Sequence, residues 1–209
     1  MRNFLILGIL SIIIFSVSQA QENGYIINSS GDTIRGSIFD QRFRWVQFQP
    51  KGLNQYQKVS AKEIREYKYK EELYSAQYLP YVKPIVSPKE MATKQISKPS
   101  NQKYQSDPTF LRVLENGSIR LFEYMEYTGA TGNTYIQQWY ARKGDGPLIE
   151  LKSNTGVSLS RKERKAALLA MIADNEELTN RYNEDKAFDQ DRIQYFIKEY
   201  NSQAKVKNL

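Results

Sequence analysis

The spacing of apolar residues changes along the chain, from alternation in its first part to a helical period at its end. Residues 25–27 and 33–39 are apolar or alternating, and the turn-forming run 28–32 lies between them. This order is typical of a β-hairpin, because Gly31 and Asp32 suit a tight turn. Residues 44–49 alternate again and predict a third strand.

A second alternating region begins at Phe110. Asn116-Gly117 separates residues 110–114 from residues 118–127. This pair favours a type I′ turn, which would place Leu114 opposite Ile119 and Leu111 opposite Phe122. Two more turn-rich stretches follow, so the region predicts a four-stranded antiparallel meander with its later strands at residues 135–142 and 147–151.

Two Ser-x-x-Glu motifs have the pattern of a helix-capping box, in which each side chain bonds the other residue's backbone N–H. Ser60 and Glu63 predict one or two helical turns over residues 60–67, and Ser160 and Glu163 predict a longer helix. Apolar residues at helical spacing then continue to the end of the chain, at positions Leu168, Met171, Ile172, Ile193, Phe196, Ile197 and Tyr200. Such faces need a partner surface, and the sheet of the same chain supplies one.

These patterns together predict an α+β domain. Its core is an antiparallel sheet or partly open barrel of about seven strands, with two or three C-terminal helices packed on it. Five of the seven prolines fall within residues 80–108, together with several lysines. We therefore expect a β-rich half at 21–79, a loop or linker at 80–108, and a meander with helices at 109–209, the two halves forming one domain.

The N-terminal residues have the order of a secretory signal peptide. Arg2 precedes an apolar run over residues 4–15, and small residues occupy Ser18 and Ala20. We expect cleavage between Ala20 and Gln21, since the apolar run is shorter than the roughly 20 residues of a membrane span. The mature chain then has no transmembrane segment, and the protein is expected in the periplasm, at the cell surface or outside the cell.

Composition excludes several classes of chemistry. The chain has no His and no Cys, which removes Ser-His-Asp and Cys-His catalysis, disulfides and the usual zinc ligands. We accordingly expect no cofactor and no metal site. The net charge of +7 is spread among interleaved acids, so nucleic acid is not an expected partner.

The 15 tyrosines are the unusual feature of what remains. Gln137, Trp139 and Tyr140 lie on one predicted strand and are the candidate ligand-binding residues, because aromatic rings and amides together suit sugar recognition. The alternative is that these rings only fill the sheet, where tyrosine and tryptophan are favoured. No acid pair stands out as catalytic, since Glu123 and Glu126 are an odd number of residues apart and should point to opposite faces.

A resemblance adds a cellular context. The segments 24–27 and 31–38, with 174–178 and 193–201 near the end, resemble uncharacterised secreted proteins of Bacteroidetes-type bacteria. The resemblance implies an envelope location and carries no activity or site residue with it.

Three functions follow as hypotheses. The first is an exported, non-catalytic envelope protein that binds a glycan, a peptide or a protein partner. The second is a glycan hydrolase that uses two carboxylates. The third is a structural component of a cell-surface assembly, with residues 80–108 as the contact segment. The pattern favours a protein that is not an enzyme, and it leaves the oligomeric state and the identity of the ligand open.

Overall fold

The computed structural model describes residues 23–80, 105, 107–127, 135–155, 159–185 and 187–206. The predicted cleavage site between Ala20 and Gln21 lies outside these residues, as does most of the predicted loop at 80–108. Everything stated below refers to the described residues.

Ten antiparallel strands form one open sheet, which three C-terminal helices cover on part of one face, so the predicted α+β class is confirmed. The barrel alternative is not what forms, and the strand number exceeds the seven expected. The strands lie in the order β10-β9-β8-β7-β6-β5-β1-β2-β3-β4. Their bounds are β1 Gly24–Asn28, β2 Thr33–Arg42, β3 Trp45–Pro50, β4 Gln57–Ser60, β5 Ile64–Tyr69, β6 Glu72–Gln77, β7 Thr109–Glu115, β8 Ile119–Tyr127, β9 Tyr135–Lys143 and β10 Ile149–Ser153.

Among the described strands, the pairing of β1 with β5 is the one that joins strands not consecutive in the chain, and β1 pairs with β2 on its other side. Its first residue must be small. A Cβ atom at Gly24 would lie 2.0 Å from the carbonyl oxygen of Lys68 on β5, which is far inside van der Waals contact. Glycine therefore permits the close pairing that joins the first hairpin to the rest of the sheet.

The prediction of helical turns at residues 60–67 is wrong. The backbone N–H and the hydroxyl of Ser60 both donate to the Glu63 carboxylate, at 2.7 and 2.5 Å, but the motif closes a turn between β4 and β5. The chain then continues as β5, which pairs with β1 and β6 and buries Ile64 and Tyr67. Pairing on both sides of this segment outweighs its local preference for a helix.

The helices α1 (Arg161–Ile172), α2 (Glu176–Glu184) and α3 (Gln190–Val206) confirm the prediction made from the apolar spacing. At the start of α1, Ser160 and Glu163 form the complete capping box. All three helices contribute to one buried cluster with the sheet, whose members include Ile119, Leu121, Trp139, Leu151, Leu168, Ile172, Leu178, Ile193, Phe196 and Ile197. No helix in the described part of the chain has the length and apolar character needed to cross a bilayer.

The other two apolar clusters belong to the sheet itself. One fills the N-terminal half and is formed by Ile26, Ile38, Val46, Phe48, Val59, Ala61, Ile64, Tyr67 and Phe110. The other contains Leu79, Leu111, Phe122, Tyr140 and Leu148. Because successive residues of a strand point to opposite faces, Phe122 lies on the face opposite Leu121 and the helices. Both faces of the sheet therefore carry buried apolar residues.

The hairpin at Asn116-Gly117 forms, but not in the predicted register. Arg112 pairs with Glu123 and Val113 with Phe122, and the register shifts before Glu115. The side chain of Asn201 on α3 explains the geometry of this turn. Its Oδ1 accepts from the backbone N–H of Ile119 and its Nδ2 donates to the Ile119 carbonyl, both at 2.8 Å.

Asn201 also explains the glycine of this turn. A Cβ atom at Gly117 would lie 2.4 Å from the Cγ atom of Asn201, so any side chain there would displace the amide. Gly117 is not among the described glycines with positive φ, so its role is close approach and not the backbone conformation of a type I′ turn.

We predict that Asn201→Ala lowers the free energy of unfolding by about 2–3 kcal/mol, because it leaves the buried N–H and C=O of Ile119 without partners. Urea denaturation measures this change. Ser202→Ala is the control on the same helix, since its exposed hydroxyl bonds only the nearby Glu199 carbonyl. Equal effects of the two substitutions would contradict the role assigned to Asn201.

Candidate functional site

An open groove with a volume of about 550 Å³ lies on the same face of the sheet as the helices, in the part of that face that they leave uncovered at the C-terminal end of β8. Strands β5 to β8 contribute most of its lining, and the end of β2 with the adjoining Phe43 contributes the remainder. Aromatic and charged side chains alternate around it: Gln41, Arg42, Phe43, Tyr67, Glu72, Tyr74, Phe110, Arg112, Glu123, Met125 and Tyr127.

Along β8, the side chains on the helix-bearing face of the sheet belong first to the buried core and then to the groove. Ile119 and Leu121 of β8 are buried under the helices, whereas Met125 and Tyr127 line the groove. The unbroken register between β8 and β9 keeps all these side chains on one face. Glu123 lies between the two parts and marks the point at which helix cover ends.

An arginine joins two carboxylates in the groove. Arg112 on β7 donates from Nη1 to Glu72 on β6 at 2.8 Å, and from Nε and Nη2 to Glu123 on β8 at 2.9 and 2.5 Å. The three residues therefore link three neighbouring strands. Glu72 and Arg112 are partly open to solvent, with side chains 46% and 36% exposed, whereas the side chain of Glu123 is only 4% exposed.

Glu123 is buried but fully supplied with hydrogen-bond donors. Besides the two bonds from Arg112, its Oε1 accepts from Gln137 Nε2 at 2.7 Å and from Trp139 Nε1 at 3.1 Å. A buried carboxylate without such partners would be costly, and removing one donor would expose that penalty. The arrangement holds Glu123 in one orientation and, through it, the guanidinium of Arg112.

The hydrogen bonds around Glu72, the more exposed of the two acids, favour its ionised form. Hydrogen bonds from the Tyr74 hydroxyl and from Arg112 lower the pKa of Glu72 below its ordinary value. Burial and the neighbouring Glu72 raise the pKa of Tyr74, so its phenol stays protonated and donates to Glu72 at 2.6 Å. Glu72 is thus a fixed negative acceptor near neutral pH and not a proton donor.

Aromatic rings form the walls of the groove. The Tyr67 and Tyr74 rings are stacked, with centroids 4.6 Å apart, and Phe110 meets Tyr67 edge-on at 4.9 Å. At the open end, Tyr127 and Tyr135 form an exposed pair with centroids 6.4 Å apart. These two rings are among the more exposed large side chains of the described residues, Tyr127 at 65%.

The structure does not bring the three residues proposed from the sequence together on an open surface. Trp139 is buried beneath the helices, and Tyr140 is buried on the opposite face with Phe122. Gln137 is beside the groove and reaches it through Glu123. The ligand-binding role of these residues stays a prediction, and the rings that are open to a ligand here are others, Tyr127 above all.

The carboxylates of the groove were not anticipated from the sequence. The regular β8 register does place Glu123 and Glu126 on opposite faces, and Glu126 instead accepts from the Tyr124 hydroxyl. Glu72 reaches the groove only because β6 and β7 pair across the long connection between them. Within the described ranges, no group of three or more acidic residues is arranged to hold a metal ion.

We predict that the stability conferred by Glu72 depends on pH in a defined direction. Because its folded-state pKa lies below the ordinary 4.5, ionised Glu72 stabilises the fold above pH 4.5, and this contribution disappears as pH falls through the folded-state pKa. The difference in unfolding free energy between the wild type and Glu72→Gln should therefore shrink on acidification. Urea denaturation at a series of pH values measures it.

The neighbouring Glu71→Gln is the matched control for this experiment. The Glu71 side chain is 96% exposed and touches only Lys68, so its removal should change stability little at neutral pH. A constant difference between the wild type and Glu72→Gln at all pH values would show that the carboxylate is not coupled to folding.

Comparison with known proteins assigns no function to this geometry. No protein-family model matches the chain, and neither a curated protein nor a solved structure matches it. The function is therefore argued from the groove itself.

Proposed function

We propose that the protein is an exported, non-catalytic envelope protein that binds a glycan or peptide in the groove between β5 and β8. The observation that carries this proposal is the combination of open aromatic rings with a charged cluster whose geometry is held in place. Ligand sites of this kind are typically concave and mostly apolar, with a few polar groups that fix orientation.

Each part of the groove has a suitable role in such binding. The rings of Tyr74 and Tyr127 offer flat apolar surface, which suits a sugar face or an apolar peptide side chain. The exposed carboxylate of Glu72 accepts from a hydroxyl or amide, and the guanidinium of Arg112 donates to an oxygen. Because Glu123 already orients Arg112, little ordering is required when a ligand arrives.

The same cluster is a weaker fit to the alternative, a glycan hydrolase. Hydrolysis with two carboxylates requires one of them to be protonated so that it acts as the acid. In the groove both acids bind one arginine, and the pKa of Glu72 is lowered. This arrangement supports a binding role over a catalytic one.

Export enters the proposal from the N-terminal sequence, and the envelope location enters it also from the resemblance to secreted proteins. The signal-peptide order of residues 1–20 supports them, and fractionation of cells with N-terminal sequencing of the recovered protein would test them. A first residue at Gln21 is the expected result.

We predict that the exported protein binds members of a glycan array or a peptide library, and that Tyr127→Ala weakens each hit about tenfold or more through loss of an exposed ring. Affinities from calorimetry provide the measurement. Tyr56→Ala is the matched control, because Tyr56 is equally open at 62% exposed but lies outside the groove. Hits that respond equally to both substitutions would place binding elsewhere.

Whether the ligand stays intact distinguishes the binding proposal from the hydrolase alternative. Mass spectrometry of any glycan hit after prolonged incubation should show the intact molecule. Appearance of cleavage products that Glu72→Gln abolishes, at a temperature at which this variant is still folded by circular dichroism, would replace the binding proposal with the catalytic one.

A further inference from the structure

Two arginines stand directly opposite each other on the face of the sheet away from the helices. The register pairs Arg120 of β8 with Arg142 of β9. Like charges in directly opposed positions destabilise an antiparallel pair, and arginine remains charged at any physiological pH. A nearby group of opposite charge would relieve this repulsion.

The protein supplies only part of that compensation. Arg120 Nη2 donates to the Glu66 carboxylate at 2.6 Å, with both side chains about four-fifths buried. Within the described ranges, the acceptor of Arg142 is a neutral one, the Gln77 side-chain oxygen at 3.2 Å. Among the described residues no carboxylate pairs with Arg142, and the Nε atoms of both arginines are buried without a hydrogen-bond partner.

Both guanidinium groups also contact the same aromatic ring, that of Phe122. Their central carbons lie 5.1 and 6.0 Å from the centroid of the Phe122 ring, within the range of a cation–π contact. This ring is fully buried in the apolar cluster of that face. The aromatic support orders the two cations without neutralising them.

The arginines line a cavity of about 590 Å³ that is separate from the groove. Lys62 and Arg65 add positive charge to its wall, and Glu66 is the one acid among its described lining residues. Lys62 is already engaged by Asp107 at 2.5 Å. The excess of positive charge in the cavity therefore rests mainly on Arg65, Arg120 and Arg142.

We propose that this cavity is a binding site for an oxyanion, a phosphate, sulfate or carboxylate group of a small ligand. Arginine pairs recognise such groups because each guanidinium offers several donors in a planar fork. An oxyanion between Arg120 and Arg142 would reduce their repulsion and give Arg142 a charged acceptor, which no described residue supplies. The proposal does not depend on the function of the groove, which lies on the other face of β8.

The test compares the melting temperature of the exported protein in inorganic phosphate, sulfate or acetate with that in chloride at equal ionic strength. Phosphate and sulfate stabilise many proteins by exclusion from the surface, so the readout is the difference between variants. We expect Arg142→Gln to reduce the anion-specific shift and to weaken calorimetric binding about tenfold, the loss of a charged donor.

Lys198→Gln is the matched control, since it removes the same charge from an exposed position on α3. It should respond to each anion as the wild type does. Binding of phosphate or sulfate without acetate would indicate a tetrahedral group, and binding of acetate as well would indicate a carboxylate source.

Two results would overturn the proposal. One is the absence of saturable binding of all three anions to the wild type by calorimetry, which requires no variant to fold. The other is an anion response of Arg142→Gln equal to that of the wild type. Tyr127→Ala should leave anion binding unchanged, so failure of the groove proposal would be distinguishable from failure of this one.

Discussion

The pairing of β1 with both β2 and β5 is the constraint on which the rest of the molecule depends. Strands β1 to β4 form one meander and β5 to β10 form another, and β1 is the strand that joins them into a single sheet. Without this joint, Tyr67 on β5 would lose the cluster of the N-terminal half, and the end of β2 would not line the groove. The joint in turn depends on the absence of a side chain at Gly24.

A second constraint is the placement of charge within the sheet. Glu123 is buried between strands at the point where the helices stop, and four hydrogen bonds compensate for the loss of its hydration. Those bonds connect a residue of the helix-covered core, Trp139, to a residue of the open groove, Arg112. On the opposite face, no described carboxylate pairs with Arg142. The two faces thus differ in how their charges are compensated: the Glu123 carboxylate has its hydrogen-bond partners, whereas Arg142 has no charged partner among the described residues.

The features of the fold and of the groove that the sequence predicts are those that depend on residues close together in the chain. The capping box at Ser160 and the apolar spacing of the C-terminal segment predict their helices because both act within a few residues. The same motif at Ser60 fails, since pairing of β5 on both sides outweighs it. The groove escapes prediction for a related reason: Glu72 and Arg112 are 40 residues apart and meet only through the pairing of β6 with β7. Alternation does send Trp139 and Tyr140 to opposite faces, but it cannot say which parts of each face the helices will cover.

The indole of Trp139 donates a hydrogen bond to Glu123, so tryptophan fluorescence can report on the groove. The chain has two tryptophans, and the second, Trp45, lies on β3 with Lys58 over its ring. A ligand that shifts Arg112 would change the electric field beside the Trp139 indole, whose emission wavelength responds to nearby fields. Under the proposed function, occupation of the groove is therefore expected to change the intrinsic fluorescence of the protein without an added dye.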